Sequence, residues 1–402
     1  MKTAIIRDNM DAAAEIILRG GIAAVPTETV YGLAANGLDA DAVKKLYELK
    51  GRPDVKPISL LVSGADALDR LCRDVPRQAR ALAKKFWPGP LTIVLPALPE
   101  VPDIVRAGGA TVGLRCPKHK MTLSLLGRAN APLAAPSANP SGKHSALTAL
   151  QVLAYFDGKI DAVVDGGPCS VGHESTVIDM SGTPYRILRQ GALPEEKIAS
   201  ALAESMTLVG ITGGAGCGKT TALGVLKDMG ALVIDCDEVY HELCRDSAEM
   251  RREISAQFGD VSGGDGIDRK KLGALVFNDR GALERLGAIT HPYVYARVEK
   301  LLRGHAMNGG TLAAIDAIAL LDGPFAARTA FNAAVTAPEA ERVRRLVARE
   351  GISEQYAKTR IAAQHSNEYF AQICDYVLDN SGDIAGFRNE CKKFFTEVLR
   401  YV

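Results

Sequence analysis

Eight residues at 213–220, Gly-Gly-Ala-Gly-Cys-Gly-Lys-Thr, constrain the fold of this chain more than any other feature. They match the phosphate-loop pattern G-x-x-x-x-G-K-[ST] in full, between a strand-like run at 208–212 and a helix-like run at 221–227. In that context backbone N–H groups face a polyphosphate, Lys219 reaches the β- and γ-phosphates, and the Thr220 hydroxyl holds Mg²⁺. An ordinary glycine-rich turn is the competing interpretation, and the flanking segments disfavour it. The predicted nucleotide contacts are Gly213, Gly214, Ala215, Gly216, Cys217, Gly218, Lys219, Thr220 and Thr221.

The length of the chain indicates two domains, because 402 residues exceed one ordinary hydrophobic core. Strand-like and helix-like segments alternate in both halves, which favours an α/β fold in each. Pro194 opens a polar, helix-prone stretch, and a new strand starts at Met206. We therefore predict one domain at 1–203 and a second at 204–402.

The composition is that of a globular protein in water, with 47% hydrophobic and 24% charged residues and a net charge of +1. The eight cysteines form no C-x-x-C pair, which is typical of reduced thiols. No apolar run is long enough for a signal peptide or a membrane span. These observations predict a cytoplasmic protein with no membrane partner.

Charged residues near the carboxyl ends of later strands are candidates for the chemistry of the second half. Asp237 follows the second strand, where it could accept a proton or hold a metal ion; a helix N-cap is the alternative. Four arginines crowd one later helix. Arg345 and Arg349 would project together toward phosphates, whereas Arg342 and Arg344 are expected on a solvated face.

From about residue 206 to 402 the chain resembles the dephospho-coenzyme A kinases, which are phosphate-loop kinases with a parallel sheet. The segments that carry the resemblance are 210–214, 233–237, 291–292, 345–364, 376–380 and, more loosely, 319–322. The resemblance implies ATP-dependent phosphorylation of the ribose 3′-hydroxyl of dephospho-coenzyme A. It implies Asp237 as the base and Asn380 near the adenine, with Lys219, Thr220, Arg345 and Arg349 serving the phosphates and Mg²⁺. The chain departs from the family at His241, where the family usually has arginine.

The first half has polar loops rather than a phosphate loop, at 26–33, 50–53, 56–57, 136–139 and 172–176. Loops of this composition suit polar recognition better than a core. The cations Lys50, Arg52, Lys56, Arg115 and Arg189 predict an anion-binding cavity, although Lys50 and Arg52 could instead cap a helix. Similarly, Ser137 and Asn139 could simply close a turn. No histidine or cysteine is placed as an obvious nucleophile, so positioning and electrostatics would carry catalysis.

From about residue 12 to 191 these motifs resemble the threonylcarbamoyl-AMP synthase, or YrdC-like, family, which has a twisted α/β sheet. The family signature, K-x-R followed by S-x-N, is present as Lys50, Arg52, Ser137 and Asn139. The resemblance implies that L-threonine, bicarbonate and ATP become threonylcarbamoyl-AMP and pyrophosphate, the donor for a tRNA modification. It implies that these four residues are catalytic and that ATP brings Mg²⁺. The residues implied around threonine are Thr27, Tyr31, Arg52, Lys56 and Ser175, and those facing ATP are Lys50, Ser137, Asn139 and Arg189.

The sequence therefore favours a bifunctional enzyme with two independent ATP sites, with tRNA and tRNA-modification proteins as further candidate partners. The competing hypothesis is an RNA-binding first half joined to a nucleotide-binding domain without dephospho-coenzyme A kinase activity. An aromatic content of only 5% disfavours a base-stacking surface. His241 motivates the second part of that alternative.

Overall fold

The computed structural model describes residues 2–51, 56–264, 266–276, 279–316, 325 and 327–401. The chain forms two compact units, Met1–Ser205 with Met307–Gly309, and Met206–Ala306 with Gly310–Val402. Each unit is an α/β structure, which confirms the predicted fold class. In the described part of the chain, no helix combines the length and apolar character needed to cross a membrane. Each of the eight cysteines, all within the described ranges, is a free thiol.

The first unit contains short strands connected by helices and long loops. Its strands are β1 (Ala4–Ile6), β2 (Ala23–Val25), β3 (Gly32–Asn36), β4 (Leu60–Leu61), β5 (Leu91–Pro96), β6 (Thr111–Arg115), β7 (Leu133–Ala134), β8 (Ala162–Val164), β9 (Thr176–Asp179) and β10 (Arg186–Arg189). Its helices are α1 (Met10–Leu18), α2 (Ala40–Lys50), α3 (Ala67–Leu71), α4 (Arg77–Phe86), α5 (Asp103–Arg106), α6 (Lys120–Ala129), α7 (Ala149–Phe156) and α8 (Glu195–Glu204).

The ten strands form one mixed sheet in the order β1-β8-β2-β3-β7-β4-β6-β5-β9-β10. Helices α1 and α6 cover one part of it, where Ile17 and Leu125 are fully buried. Local sequence sets the helix ends: Asp39 caps α2 through its side chain, and Gly51 ends α2 in the left-handed conformation. The capped helix α2 therefore delivers Lys50 to the loop that follows.

The second unit is an α/β structure with a sheet of its own. Its strands are β11 (Thr207–Thr212), β12 (Leu232–Asp235), β13 (Ser262–Gly263), β14 (Gly266–Ile267), β15 (Leu312–Asp316), β16 (Phe331–Thr336) and β17 (Tyr376–Asp379). Its helices are α9 (Lys219–Asp228), α10 (Cys236–Asp246), α11 (Ala248–Phe258), α12 (Arg269–Val276), α13 (Arg280–Met307), α14 (Glu339–Glu350), α15 (Glu354–Ala362), α16 (Asn367–Ile373) and α17 (Ile384–Val398).

The main sheet of this unit has the order β12-β15-β11-β16-β17, and every pairing in it is parallel. The central strand β11 is buried along its whole length, as its continuous apolar sequence requires. All five carboxyl ends lie at one edge, where a ligand crevice forms in such sheets. The predicted segment at 319–322 lies outside the described residues.

Candidate active sites

Two loops of the first unit are joined by backbone hydrogen bonds, and they frame a polar cavity. Tyr31 donates its N–H to Ala146 O (2.9 Å) and accepts the N–H of Ala138 on its carbonyl (2.7 Å). Leu33 donates to Pro136 O (2.8 Å). The loop after β2 and the loop after β7 therefore hold a fixed position relative to each other, although they are far apart in sequence.

Lys50 is buried, and its ammonium group contacts the loop that carries Ser137 and Asn139. Lys50 Nζ donates to the carbonyl of Ser137, to Asn139 O (2.8 Å) and to Asn139 Oδ1 (3.4 Å). Ser137 Oγ donates to the same Oδ1 (2.6 Å). Three of the four signature residues thus form one hydrogen-bonded cluster. The fourth, Arg52, lies outside the described residues.

A cavity of about 150 Å³ opens beside this cluster. Ser175, at its wall, shares a hydrogen bond with Thr92 Oγ1 (2.9 Å) and accepts one from Arg189 Nη2 (3.1 Å). Arg189 also pairs with Glu174. The wall therefore combines hydroxyl groups with a guanidinium held in place by a carboxylate. The lining residues are Thr27, Val30, Gly32, Pro57, Ile58, Ser59, Leu61, Thr92, Arg115, Ala135, Pro136, Ser137, Glu174, Ser175 and Arg189.

Three other predicted residues of this site have different environments. Thr27 lines the cavity, but its hydroxyl donates to Val30 O (2.6 Å) and so closes its own loop. Tyr31 is fully buried, and its hydroxyl donates to Gly167 O (2.8 Å) away from the cavity lining. Burial raises the pKa of Tyr31 to about 12. Lys56 is exposed on the surface.

Arg115 and Glu28 form a buried ion pair next to the cavity. Arg115 Nη2 lies 2.9 Å from Glu28 Oε1, and both side chains are less than a tenth exposed. Burial lowers the pKa of Arg115, which the negative charge of Glu28 opposes. Arg115 also donates to Thr29 Oγ1 (2.8 Å). Arg115 was predicted from the sequence as a cation of the cavity, but its partner Glu28 was not, because the sequence of the loop at 26–29 does not show which side chain Glu28 contacts.

A second, larger cavity of about 550 Å³ adjoins the first through Val30 and Glu174. Its wall mixes aromatic and apolar groups such as Tyr155 and Leu147 with polar side chains. This cavity was not predicted from the sequence. Its lining residues are Val30, His144, Ser145, Ala146, Leu147, Gln151, Ala154, Tyr155, Gly172, His173 and Glu174.

In the second unit the phosphate loop connects β11 to α9 as predicted from its sequence. Gly216 and Gly218 have φ angles of 79° and 99°, in the left-handed region that favours glycine. Lys219 Nζ folds back to donate to Gly213 O (3.1 Å). Thr220 and Thr221 continue the first turn of α9, and the Thr220 side chain is exposed to solvent.

Arg345 and Asn380 meet at the phosphate loop. Arg345 Nη2 donates to Asn380 O (3.1 Å), and Asn380 Nδ2 donates to Cys217 O (2.8 Å). A Cβ at position 218 would collide with Asn380 Nδ2, which explains the glycine there. Arg345 Nη1 is buried and has no hydrogen-bond partner among the described residues. Arg349, in contrast, is exposed and pairs with Glu350.

Three carboxylates lie at the carboxyl ends of β12 and β15. Asp235 and Asp316 face each other in parallel register, and Asp237 follows in the first turn of α10. The helix cap is Asp235, which accepts hydrogen bonds from the backbone of Asp237 and Glu238, so the capping alternative for Asp237 was wrong. Asp237 is exposed, and its side chain does not cap the helix.

His241 lies one turn after Asp237 on α10. Its pKa is lowered, first by burial and then by the positive charge of Arg269, while Asp237 opposes the shift. The imidazole is therefore mostly neutral at neutral pH and is a weaker phosphate ligand than an arginine.

The residues of the second unit fit a nucleoside triphosphate with Mg²⁺. The loop glycines leave no room for side chains, Lys219 carries a positive charge at the loop, and Arg345 Nη1 is an unpaired buried donor. The exposed Thr220 hydroxyl is available for a magnesium ion.

Two protein families match the chain. The family described as Telomere recombination matches residues 15–191, and the family described as Dephospho-CoA kinase matches residues 207–386.

Individual relatives agree with these matches. A threonylcarbamoyl-AMP synthase from Pyrococcus abyssi is 46% identical over 192 residues, which are 48% of this chain and 56% of that protein. A Mycobacterium tuberculosis protein provisionally given the same name is 34% identical over 191 residues, 48% of this chain and 88% of that protein. A Moorella thermoacetica dephospho-CoA kinase is 35% identical over 200 residues, 49% of this chain and 94% of that protein. The chain spans about half the length of the first curated relatives that it matches.

Proposed function

This chain belongs to the threonylcarbamoyl-AMP synthase family through its first half and to the dephospho-CoA kinase family through its second, and from this we propose a bifunctional enzyme. We assign the first activity to residues 1–203 and the second to residues 204–402. Both reactions consume ATP. The first breaks the α–β phosphate bond and the second the β–γ bond, so we propose two independent nucleotide sites.

In the first reaction L-threonine, bicarbonate and ATP give threonylcarbamoyl-AMP, pyrophosphate and water, for the modification of tRNA. The cluster of Lys50, Ser137 and Asn139 beside a polar cavity is the observation that carries this proposal. A cavity of about 150 Å³ is small for a nucleotide but suits an amino acid, whereas the adjoining cavity of about 550 Å³ is of nucleotide size. We place threonine near Ser175 and Arg115, the ATP phosphates near Lys50 and Arg189 beside the smaller cavity, and the rest of the nucleotide in the larger cavity, which adjoins the smaller one through Val30 and Glu174.

Thr27 and Tyr31 shape this site in our proposal and make no direct contact with threonine through their hydroxyls, because both hydroxyls already bond the protein backbone. Lys56 and Arg52, on the segment before Pro57, stay candidates for the threonine carboxylate and the phosphates. Catalysis then rests on positioned charges rather than on a covalent nucleophile.

In the second reaction the 3′-hydroxyl oxygen of dephospho-CoA forms a bond to the γ-phosphorus of ATP, and the bond from that phosphorus to the β-phosphate oxygen breaks. Asp237 would accept the hydroxyl proton, and Lys219 and Arg345 would stabilise charge on the phosphates. Bound Mg²⁺, held by Thr220, would neutralise charge on the β- and γ-oxygens. ADP and coenzyme A are the products.

The test is mass spectrometry of reactions that contain the full chain, MgATP, L-threonine, bicarbonate and dephospho-CoA. We expect threonylcarbamoyl-AMP and coenzyme A together. K219M should remove coenzyme A alone, and K50M should remove threonylcarbamoyl-AMP alone. Loss of both products in either variant would contradict independent sites. Absence of coenzyme A with the unaltered chain would contradict the kinase assignment.

A further inference from the structure

Arg342 on α14 departs from the expectation of a solvated face, because it is only 4% exposed. Its guanidinium forms a closed ring of hydrogen bonds with the phosphate loop. Arg342 Nε donates to Ala215 O (2.9 Å), and Arg342 Nη2 donates to Gln364 Oε1 (3.3 Å). The same Gln364 oxygen accepts the Ala215 N–H (2.8 Å). Both backbone groups of Ala215 are therefore fixed by side chains from outside the loop.

Two loop glycines lie close against Arg342. A Cβ at Gly214 would collide with Arg342 Nη2 and would lie 2.9 Å from Arg342 Cζ. A Cβ at Gly216 would lie 2.7 Å from the carbonyl oxygen of Arg342. The loop from 214 to 216 thus lies directly against this arginine, which determines its path.

The charge of Arg342 has no protein counterpart in the described part of the chain. Its neighbours on α14 each have a glutamate: Arg344 and Arg345 pair with Glu341, and Arg349 pairs with Glu350. No ion pair involves Arg342 within the described ranges. Burying a guanidinium without an anion costs free energy. The phosphates of a nucleotide bound at this loop would supply the missing negative charge.

We propose that Arg342 is a positioning residue that sets the phosphate loop for ATP and whose charge is balanced by the bound phosphates; this rests on the proposed kinase function. With Ala215 fixed, the N–H groups that follow it in the loop are already arranged before the nucleotide arrives. Less conformational freedom is then lost on binding. Arg342 should therefore strengthen the binding of ATP and leave the binding of dephospho-CoA unchanged.

Steady-state kinetics of coenzyme A formation by the full chain test this proposal. In R342M, an unbranched apolar side chain fills the same space without the donors or the charge. We expect the KM for ATP to rise about tenfold or more, as the loss of a charge-assisted hydrogen bond implies, with the KM for dephospho-CoA within about twofold. R342K keeps the charge and should recover part of the loss. R344M, on the exposed face of the same helix, should match the unaltered chain.

A second pair of variants protects the test against a folding defect in R342M. G214A alone should raise the KM for ATP, because the added methyl group displaces Arg342. When G214A is added to R342M, the further rise in this KM should be much smaller. Equal effects in the two backgrounds would overturn the proposal. Formation of threonylcarbamoyl-AMP by the same preparations reports whether the protein is otherwise intact.

Titration with MgADP separates this proposal from the kinase assignment. If the unaltered chain makes no coenzyme A, the kinase function fails, yet the affinities of the unaltered chain and R342M for MgADP still test Arg342. Weaker binding by R342M supports the positioning role, and equal binding refutes it.

Discussion

The ammonium of Lys219 lies 4.0 Å from Asp316 Oδ1, where the phosphate loop meets the end of β15. Asp316 is 16% exposed at the side chain, and burial raises its pKa to about 6. Lys219 opposes that shift, whereas Asp235 and Asp237 add to it. A carboxyl group whose ionisation burial disfavours therefore lies beside the lysine of the phosphate loop.

Asp316 should make the stability of the chain fall as the pH rises from about 4 to 6. In that window the folded chain binds more protons at Asp316 than the unfolded chain does, so the free energy of unfolding decreases with pH and levels above 6. D316N should remove this slope, which amounts to about 2–3 kcal/mol. Urea denaturation followed by circular dichroism at several pH values measures it. D379N, at the exposed end of β17, should keep the slope, and a D316N profile parallel to the unaltered chain would contradict the prediction.

K50M should lower the rate of threonylcarbamoyl-AMP formation by about 100-fold or more, because a buried and positioned positive charge is lost. The variant also breaks the contacts to Ser137 and Asn139. Coenzyme A formation, measured on the same sample, should stay within about twofold. K44M changes an exposed lysine on the same helix and serves as the control. Unchanged threonylcarbamoyl-AMP formation in K50M would exclude Lys50 from the site.

R115M should destabilise the first unit by about 3–5 kcal/mol, since it leaves the buried carboxylate of Glu28 without its partner. Removing both charges, in R115M with E28Q, should restore part of this loss. R128M breaks the exposed pair with Asp11 and should cost no more than about 1 kcal/mol. Urea denaturation monitored by Trp87 fluorescence reports on this unit. Equal losses in R115M and R128M would show that burial of the pair has no consequence.

H241R should lower the KM for dephospho-CoA about fivefold at pH 7.5, because it adds a permanent charge where the imidazole is neutral. The histidine has its pKa lowered by burial and by Arg269 and Arg245, so its proton is gained only below the usual range. The KM of the unaltered chain should therefore change little between pH 8 and about 6.5. H241Q keeps the size without charge and should resemble the unaltered chain. A KM in H241R equal to that in H241Q would show that dephospho-CoA does not approach this position.

The parts of the fold that depend on continuous sequence could be predicted. The phosphate loop, β11 and α9 follow from one uninterrupted run of residues, and the capped helix α2 delivers Lys50 as its pattern suggests. Hydrophobic periodicity and capping residues act over one or two turns, which a single sequence displays directly.

Side-chain partners across the fold could not be predicted, because they depend on tertiary packing. The motif around Tyr31 predicted a contact with threonine. In the structure the Tyr31 hydroxyl donates a hydrogen bond to the carbonyl oxygen of Gly167. Arg342 stands among charged neighbours on a helix whose pattern suggested solvent exposure, and only packing against Ala215 reveals its burial. The position of Asp316 could have been predicted from the sequence. A carboxylate at the carboxyl end of an apolar strand is expected to lie at the ligand crevice of a parallel sheet.

The hydrogen bond from Asn380 to Cys217 joins residues 163 positions apart. During translation the phosphate loop is synthesised long before Asn380, which holds it. The hydrogen bond from Arg345 to Asn380 likewise forms only after Asn380 has been synthesised. A growing chain therefore has the sequence of the phosphate loop before it has the contacts that hold this loop in the folded unit. We therefore expect nucleotide to stabilise the folded loop only after Asn380 has been synthesised, so the earlier steps of folding of this unit proceed without help from the ligand.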